Sequence, residues 1–428
     1  MTDPLRIGIA GLGTVGVGVV KIVRQKANLL ATRSGRPIEI AAVSARNRDK
    51  NRGVSIDGYG WEDDPVKLAT REDVDVFVEL MGGADGPARA ATEAALRAGK
   101  DVVTANKAML AIHGQELAEL AESRGHVIRF EAAVAGGIPV VKALTEGLAG
   151  NQVTRVMGVM NGTCNYILTR MEESGLPYQT VFDEADKLGY LEADPNLDVG
   201  GIDAGHKLAL LASIAYGTQV DFGAIELEGI QKISIDDIRT ARNMGFRIKL
   251  LGVAQMTGRG LEQRMSPCLV PADSPLGQLQ GGTNMVVLEG DSVGQIVLRG
   301  AGAGEGPTAS AVLSDIIEIA RGTRLTTFGQ PAAGLSRARP ARTTTPAPYY
   351  LRMKLVDKPG AMAKIATVLG DAGISIDRMR QTQHESGAAP VLIVTHRTDR
   401  GSLDIALENF AATGVVQGEP VAIRIEDV

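Results

Sequence analysis

The chain has 428 residues, 44% of them hydrophobic and 22% charged, which is an ordinary globular balance that allows roughly two to four domains. Its net charge of −5 argues against a general nucleic-acid binder, which would present a basic surface. Two cysteines, no signal-like N-terminal run and no apolar stretch of about 20 residues exclude a disulfide framework and a membrane span, so a cytoplasmic protein is expected.

Residues 1–137 alternate between strand-like and helix-like segments, which predicts an α/β domain with a Rossmann-type, doubly wound parallel sheet. The strands are predicted at residues 5–10, 38–44, 74–80, 101–104 and 127–130. A late amphipathic helix at residues 309–321 is expected to return to this domain, which residues from about 306 to 330 would complete.

The pattern changes in residues 138–305, where helices are followed by successive strand-like runs. This predicts an α+β catalytic and dimerisation domain with a largely antiparallel sheet. Helices are predicted at residues 139–148, 178–188 and 202–216, and strands at 154–160, 247–254, 262–269, 285–289 and 295–299.

Residues 331–348 contain four prolines and few apolar residues, which predicts an extended linker. Residues 349–428 then show a βαββαβ order. The segments are 351–356, 361–372, 374–380, 391–396, 402–413 and 420–426.

A glycine-rich loop follows the first predicted strand and opens a helix. Gly11, Gly13 and Gly16 fit the G-x-G-x-x-G pattern, in which the glycines allow a tight turn, backbone approach to a pyrophosphate and close helix packing. The helix N-terminus would hold the phosphates. The alternative is a glycine-rich turn without a ligand, but the strand–turn–helix context favours dinucleotide binding.

The tip of the second predicted strand bears on the choice of dinucleotide. No carboxylate stands there to bind ribose hydroxyls; Arg46 does, with Arg48 and Lys50 close behind. A guanidinium suits a 2′-phosphate, so NADP(H) is favoured and NAD(H) remains possible. The alternative is that these basic residues belong to a solvated loop with no role in cofactor binding.

Acidic residues cluster between residues 188 and 203, ahead of a predicted apolar helix. Asp203 and Lys207 stand four residues apart, so their side chains share one face of that helix. A surface salt bridge worth roughly 0.3–0.5 kcal/mol is the plain alternative. The apolar helix instead favours a partly desolvated lysine whose proton moves easily.

Several motifs together resemble those of homoserine dehydrogenases over residues 5–330. The central one is G-Y-x-E-x-D-P-x-x-D-V-x-G-x-D-x-x-x-K, from Gly189 to Lys207. Others are T-A-N-K at 104–107, E-A-A-V-A-G-G-I-P at 131–139, N-G-T-C-N-Y-I-L at 161–168 and G-A-G-A-G at 300–304.

The resemblance implies reversible NAD(P)H-dependent reduction of L-aspartate 4-semialdehyde to L-homoserine, a step in threonine, methionine and isoleucine biosynthesis. It implies Lys207 as general acid/base, Glu192 and Asp203 as substrate ligands, and Asp198 as their support. Lys107 would act at the nicotinamide end of the cleft, where parallel sheets bind ligands; a plain surface lysine is the alternative. The further cofactor contacts implied are Thr14, Val15, Thr104, Gly189 and Gly304.

The same resemblance implies a monovalent cation, sodium or potassium, held mainly by carbonyl oxygens. The residues concerned are Glu131, Val134, Gly136 and Ile138. A tight turn without an ion would explain the same glycines, and the sequence leaves both readings open.

Residues 349–428 resemble an ACT domain through the run Leu355–Ile365, which contains Pro359 and Gly360, and through Ala372–Ile376. This implies a threonine effector and pairing between subunits, with a homodimer or homotetramer as the assembly. Ser375 and Ile376 stand where amino-acid-binding members often carry an acidic residue or Asn, so a dimerisation module without a ligand is the alternative.

Two other functions compete with the dehydrogenase prediction. One is another NADP-dependent amino-acid or sugar-acid dehydrogenase, which would have no reason to combine Glu192, Asp203 and Lys207 at these spacings. The other is a non-catalytic sensor made of a Rossmann and an ACT domain, against which the intact Lys107 and Lys207 argue. No nucleic-acid or membrane partner is expected.

Overall fold

The computed structural model describes residues 3–191, 194–341, 343–381 and 388–428. The N-terminal elements follow a strand–helix alternation. They are β1 (Leu5–Ala10), α1 (Thr14–Gln25), α2 (Ala27–Ser34), β2 (Ile38–Ser44), β3 (Gly60–Glu62), α3 (Pro65–Thr70), β4 (Val76–Glu79), α4 (Pro87–Arg97), β5 (Asp101–Thr104), α5 (Lys107–Ser123) and β6 (Ile128–Arg129).

The first sheet is parallel in every described pairing, and its strand order is β3-β2-β1-β4-β5-β6. This is the order of two mononucleotide-binding halves that meet at β1 and β4. The predicted doubly wound parallel sheet is confirmed. Among the described residues it has one more strand than predicted, because the short and half-exposed β3 adds an edge beside β2.

The middle of the chain forms a second, mixed sheet with helices. Its elements are α6 (Val140–Lys142), β7 (Val153–Val159), α7 (Gly162–Ser174), α8 (Tyr178–Lys187), α9 (Pro195–Val199), α10 (Ile202–Tyr216), β8 (Glu226–Leu227), α11 (Ile235–Asn243), β9 (Phe246–Thr257), β10 (Gly260–Pro271), β11 (Thr283–Gly290), β12 (Gly294–Ala301) and α12 (Glu305–Ala320).

Strands β7, β9, β10, β11 and β12 pair antiparallel, as predicted for an α+β domain. Helix α10 packs against this sheet and is almost entirely buried along its first three turns. Helix α12 returns to α1, where Val312 and Ile316 join the core formed by Ile7 and Val20. The predicted return of this late helix to the first domain is therefore confirmed.

The C-terminal elements are β13 (Tyr349–Val356), α13 (Ala361–Asp371), β14 (Ile376–Gln381), β15 (Ala388–Thr395), α14 (Arg400–Ala412) and β16 (Val416–Ile425). They give the βαββαβ order predicted for the ACT domain. A separate apolar core, with Leu351, Ile365 and Phe410 at its centre, joins the strands to both helices.

The ACT strands continue the catalytic sheet, which the sequence did not predict. Strand β16 pairs with β10 in parallel through Cys268 with Arg424 and Leu269 with Ile425. The edge of β10 that faces away from β9 is thus covered in three places: by a bridge from Leu261 to Pro340, by β8, and by β16.

The segment predicted as an extended linker begins with a 3₁₀ turn at Ala332–Gly334, and the residues after it are attached to the catalytic sheet. The N–H of Leu261 donates to the carbonyl of Arg339 at 2.8 Å, and the N–H of Thr345 donates to Oε2 of Glu262 at 2.9 Å. Within the described residues, no helix combines the length and apolar character needed to cross a bilayer.

Candidate active site

A cavity of about 720 Å³ lies where the carboxyl ends of β1 and β5 face the catalytic domain. Most residues predicted from distant parts of the sequence for the cleft meet in its wall. Those that line it are Thr14, Val15, Lys107, Gly136, Gly189, Asp198, Asp203, Lys207 and Gly304.

The glycine-rich loop forms one side of this cavity. Gly11 has φ +101°, and a Cβ there would lie 2.4 Å from the carbonyl oxygen of Leu80; at Gly16 it would lie 2.0 Å from the oxygen of Gly11. Only glycine fits at either position. A Cβ at Gly13 would meet nothing within 4 Å, so the first turn of α1 is open toward the cavity, the arrangement that binds phosphates at helix N-termini.

Arginines dominate the loop after β2. Arg46 is exposed just beyond the strand, and the Arg48 guanidinium stacks 5.6 Å from the centre of the Trp61 ring. Nε of Arg52 donates to the carbonyl of Leu12 at 3.3 Å, which ties this loop to the glycine-rich turn. The sequence carries no signal for Arg52, because a side-chain hydrogen bond to a distant backbone carbonyl imposes no sequence pattern.

One buried carboxylate holds two lysines at the catalytic side of the cavity. Nζ of Lys207 lies 2.7 Å from Oδ2 of Asp203, and Nζ of Lys107 lies 3.0 Å from Oδ1 of the same residue. Lys207 also donates to the carbonyl of Met160 at 2.8 Å. The predicted pairing of Asp203 and Lys207 is present, and it is 7% and 8% exposed rather than a surface bridge.

The charge state of this centre follows from its surroundings. Burial alone would raise the pKa of Asp203, but the ammonium groups of Lys207 and Lys107 outweigh burial and hold that pKa well below its usual range. The carboxylate therefore stays ionised and keeps both ammonium groups in fixed positions.

Asn161 joins this centre to Asp198. Its Nδ2 donates to Oδ1 of Asp198 at 2.9 Å and to Oδ2 of Asp203 at 3.3 Å. Its Oδ1 accepts from the N–H of Cys164 at 2.8 Å and so caps α7. Asn161 belongs to the N-G-T-C-N-Y-I-L motif, but no role was predicted for it. The available signal was an Asn directly before the residues that form α7, where it can act as the cap.

The segment before the acidic run closes another side of the cavity. Tyr190 stacks on Tyr166 with ring centres 4.4 Å apart, and its carbonyl accepts from the Thr163 hydroxyl at 2.9 Å. These contacts fix Gly189 and Tyr190 in the wall. Glu192, predicted as a substrate ligand, lies outside the described residues.

Thr104, predicted as a cofactor contact, lies behind the wall. Its hydroxyl donates to Oε2 of Glu79 at 2.6 Å, and Oε1 of Glu79 accepts the N–H groups of Met81 and Gly82. Burial raises the pKa of Glu79. The pair fixes the turn after β4 next to the glycine-rich loop.

The predicted cation residues lie in one short segment next to the cavity, made of a 3₁₀ turn at Glu131–Ala133 and the left-handed turn that follows it. Ala135 and Gly136 have φ +54° and +55°, and Ala135 is the one non-glycine residue with positive φ in the described chain. Both carboxylate oxygens of Glu131 accept backbone N–H groups, from Val141 and Lys142. The described residues hold no cluster of three His, Cys, Asp or Glu suited to a metal, so a cation here would depend on carbonyl oxygens.

A dinucleotide-binding loop that faces a buried lysine–carboxylate centre defines an NAD(P)-dependent oxidoreductase, here joined to an ACT domain.

Family models agree with this assignment along most of the chain. The model described as "Homoserine dehydrogenase, NAD binding domain" matches residues 11–131, "Homoserine dehydrogenase" matches 139–317 and "ACT domain" matches 349–414. The homoserine dehydrogenase of Neisseria gonorrhoeae is 41% identical over 99% of both chains.

Solved structures show the same relation. The crystal structure of a homoserine dehydrogenase from Thiobacillus denitrificans superposes with a TM-score of 0.93 at 38% identity, over 99% of both chains. A hyperthermophilic archaeal homoserine dehydrogenase in complex with NADPH has a TM-score of 0.64 at 26% identity, and covers 74% of this chain and 97% of its own. The chain belongs to the homoserine dehydrogenase family and has that family's activity; the other dehydrogenase and the non-catalytic sensor are not favoured.

Proposed function

We propose that Lys207, Lys107 and Asp203 carry out the interconversion of L-aspartate 4-semialdehyde and L-homoserine. The observation that supports this assignment is the single Asp203 carboxylate that holds both lysine Nζ atoms in the cavity entered by the glycine-rich loop. Asp198, joined to Asp203 through Asn161, supports the centre, and the family resemblance adds Glu192 as a ligand of the substrate amino group.

When bound on the glycine-rich loop, the dinucleotide would supply or accept the hydride at the substrate carbon. In the reductive direction Lys207 donates a proton from Nζ to the oxygen that becomes the hydroxyl, and the positive charge of Lys107 stabilises the developing oxyanion. In the oxidative direction neutral Lys207 takes the hydroxyl proton. Asp203 keeps both Nζ atoms at the wall of the cavity.

Substitution of each lysine tests these roles. Lys207→Met should lower kcat by about 10²–10⁴-fold, the usual contribution of a general acid. Lys67→Met, an exposed lysine on α3, is the control for loss of a lysine elsewhere. Added methylamine should restore part of the activity of Lys207→Ala, because the truncated side chain leaves space for the amine. If Lys207→Met stays within tenfold of the control, the assignment is wrong.

NADP(H) is the dinucleotide that we propose the site prefers. Support comes from Arg46 beyond β2, from the absence of an acidic residue in the run Ser44-Ala45-Arg46, and from the archaeal relative named as an NADPH complex. Arg46→Ala should reduce the NADPH to NADH ratio of kcat/KM by about tenfold or more, since charged hydrogen bonds to the 2′-phosphate are lost. The exposed Arg33→Ala is the control; an equal fall in both variants would contradict the proposal.

A monovalent cation at Glu131, Val134, Gly136 and Ile138 is also proposed, on the basis of the left-handed turn at Ala135 and Gly136. A bound ion stabilises the folded state, so the melting temperature should rise with NaCl or KCl relative to tetramethylammonium chloride at equal ionic strength. Equal melting temperatures in all three salts would count against a cation.

The ACT domain is proposed to bind threonine as an effector, since threonine is an end product of the pathway that homoserine supplies. L-threonine at millimolar concentration should change the rate, whereas D-threonine should not. Identical rates with both enantiomers and without either would refute this.

We further propose a homodimer formed through the catalytic sheet. Strand β12 is an edge of that sheet, and Val293 and Val297 beside and within it are 41% and 39% exposed. Light scattering should give twice the monomer mass, and Val297→Lys should reduce it; a homotetramer is expected if ACT domains also pair. A monomer at micromolar concentration would contradict the dimer.

A further inference from the structure

A second cavity, of about 300 Å³, lies at the junction between the catalytic and ACT domains, away from the nucleotide cleft. Its catalytic side is formed by residues 226–228 and β10, and its ACT side by β16 and the first turn of α14. The charged residues in its wall are Glu226, Glu228, Arg264, Arg400, Asp404 and Arg424.

Several polar groups of this wall have unused hydrogen-bonding capacity. Of the Arg400 nitrogens, Nε alone has a partner within the described chain, Oδ1 of Asp404 at 2.8 Å. The Glu228 carboxylate is half-buried and faces Arg400, with which its charge interacts, but it makes no hydrogen bond to a described residue. Nε of Arg264 and the hydroxyl of Thr344, in residues 3% and 5% exposed, also lack partners there.

The arrangement of charges selects one class of ligand. A simple anion would meet Glu226 and Glu228, and a simple cation would meet Arg400 and Arg424, so either would be repelled by half of the wall. A molecule that carries both charges close together satisfies both halves. Buried polar groups without partners are costly, and such a ligand would supply partners.

We propose that this junction cavity binds a small zwitterionic α-amino acid, with its carboxylate on the Arg400 guanidinium and its ammonium on Glu228. The site differs from the turn at Pro359 and Gly360, to which the family resemblance points. The proposal rests on the proposed amino-acid effector of the ACT domain and assigns the place where it binds.

The junction cavity is connected to the active site through the backbone. The N–H of Glu228 donates to the carbonyl of Met265 at 2.8 Å, and the N–H of Ile230 donates to the carbonyl of Val199 at 3.0 Å. Val199 follows Asp198. The segments at Gly229 and Val199 are closely packed, because a Cβ at Gly229 would lie 2.4 Å from the Val199 oxygen.

A ligand that repositions Glu228 therefore acts on the segment that carries Asp198, and through Asn161 on Asp203. Its effect should fall on the substrate side of the reaction. The KM for homoserine should change with the ligand, whereas the KM for NADP should stay the same.

Isothermal titration calorimetry on the full chain tests the site, with L-threonine, L-alanine and L-lysine as probes. Arg400→Ala and Glu228→Gln should each weaken binding of the tightest probe by about tenfold or more, because each removes a charged hydrogen-bonding partner. Asp357→Ala, next to Pro359, is the matched variant of the alternative site, and it should bind as the wild type does. Circular dichroism spectra of all variants confirm folding.

The outcomes separate the two proposals. If Asp357→Ala loses binding while Arg400→Ala and Glu228→Gln retain it, the junction site is wrong and the ACT effector stands. A dissociation constant of about 10 mM is the weakest that could regulate an enzyme in a cell. If no probe binds wild type at concentrations of about 10 mM, the junction site and the ACT effector are both refuted. A ligand that binds but shifts the KM for NADP and not that for homoserine overturns the coupling route.

Discussion

Glu426 is a buried carboxylate that joins the catalytic and ACT domains through ion pairs. It directly follows β16, and its carboxylate contacts three arginines: Arg155 and Arg264 from the catalytic strands and Arg424, with Nε at 2.7 Å, from β16. The Glu426 side chain is 6% exposed. Burial would raise its pKa, but the arginines outweigh burial and lower it, so the carboxylate is ionised.

Glu426→Ala would leave these guanidinium groups buried without their shared anion. Removing one partner of a buried ion pair typically costs about 3–5 kcal/mol, and we expect a loss of this order in the free energy of unfolding. The control is Glu419→Ala, which removes the exposed pair with Lys232 and should cost less than about 1 kcal/mol. Urea unfolding followed by circular dichroism measures both.

The pH dependence gives an independent check. A carboxyl group with a lowered pKa in the folded state contributes stability above its unfolded pKa of about 4.3, and that contribution is lost as the pH falls through the folded value. The difference between wild type and Glu426→Ala should therefore be full at pH 7 and shrink below about pH 4. Exposed ion pairs contribute up to about 1 kcal/mol. If the unfolding free energies of Glu426→Ala and Glu419→Ala differ by less than about 1 kcal/mol at pH 7, the buried carboxylate does not stabilise the junction as argued.

Three further substitutions test other parts of the molecule. Asn161→Ala should lower kcat/KM by about 10²-fold, because Asp203 is misplaced. Ser234→Ala removes a remote helix cap with a similar contribution to stability and should leave kcat/KM unchanged. Equal activities of the two variants would exclude a positioning role for Asn161. Gly11→Ala should raise the KM for NADPH at least about tenfold by moving the loop, while Gly35→Ala, with a similar positive φ but open space, should not. Burial and the nearby Asp315 raise the pKa of Glu131 to about 7, so in buffers without sodium or potassium this group should cost wild type stability as the pH rises from about 4.5 to 7. Glu131→Gln should lack this loss in melting temperatures taken across that range; an unchanged profile would contradict it.

The parts of the site that the sequence predicted were those encoded by short-range spacing. Asp203 and Lys207 stand one helical turn apart, so their contact followed from α-helix geometry alone. Gly11 and Gly16 follow from steric limits that act within one strand–turn–helix unit. The parallel sheet followed from the alternation of elements, since a chain that crosses over a helix returns parallel.

The parts that the sequence did not predict depend on contacts between distant residues. Asn161 reaches Asp203, and Arg52 reaches Leu12, through single side-chain hydrogen bonds that impose no periodicity. The pairing of β16 with β10 involves two residue pairs far apart in the chain. The proline-rich segment was predicted as an extended linker, and its attachment to β10 arises from backbone groups that every residue carries.

The shared edge of β10 has a consequence for how the chain folds. The hairpin of β9 and β10 can form early because its contacts are local, and β8 precedes it in the chain. The rest of the opposite edge waits for the segment at Pro340 and for β16, which emerges long afterwards. Until then, part of a twelve-residue strand offers unpaired N–H and C=O groups to any other chain. Synthesis at high rate or high temperature should therefore favour aggregation through β10, and early release of residues before β16 should yield insoluble material even when the first sheet and its nucleotide loop have already folded.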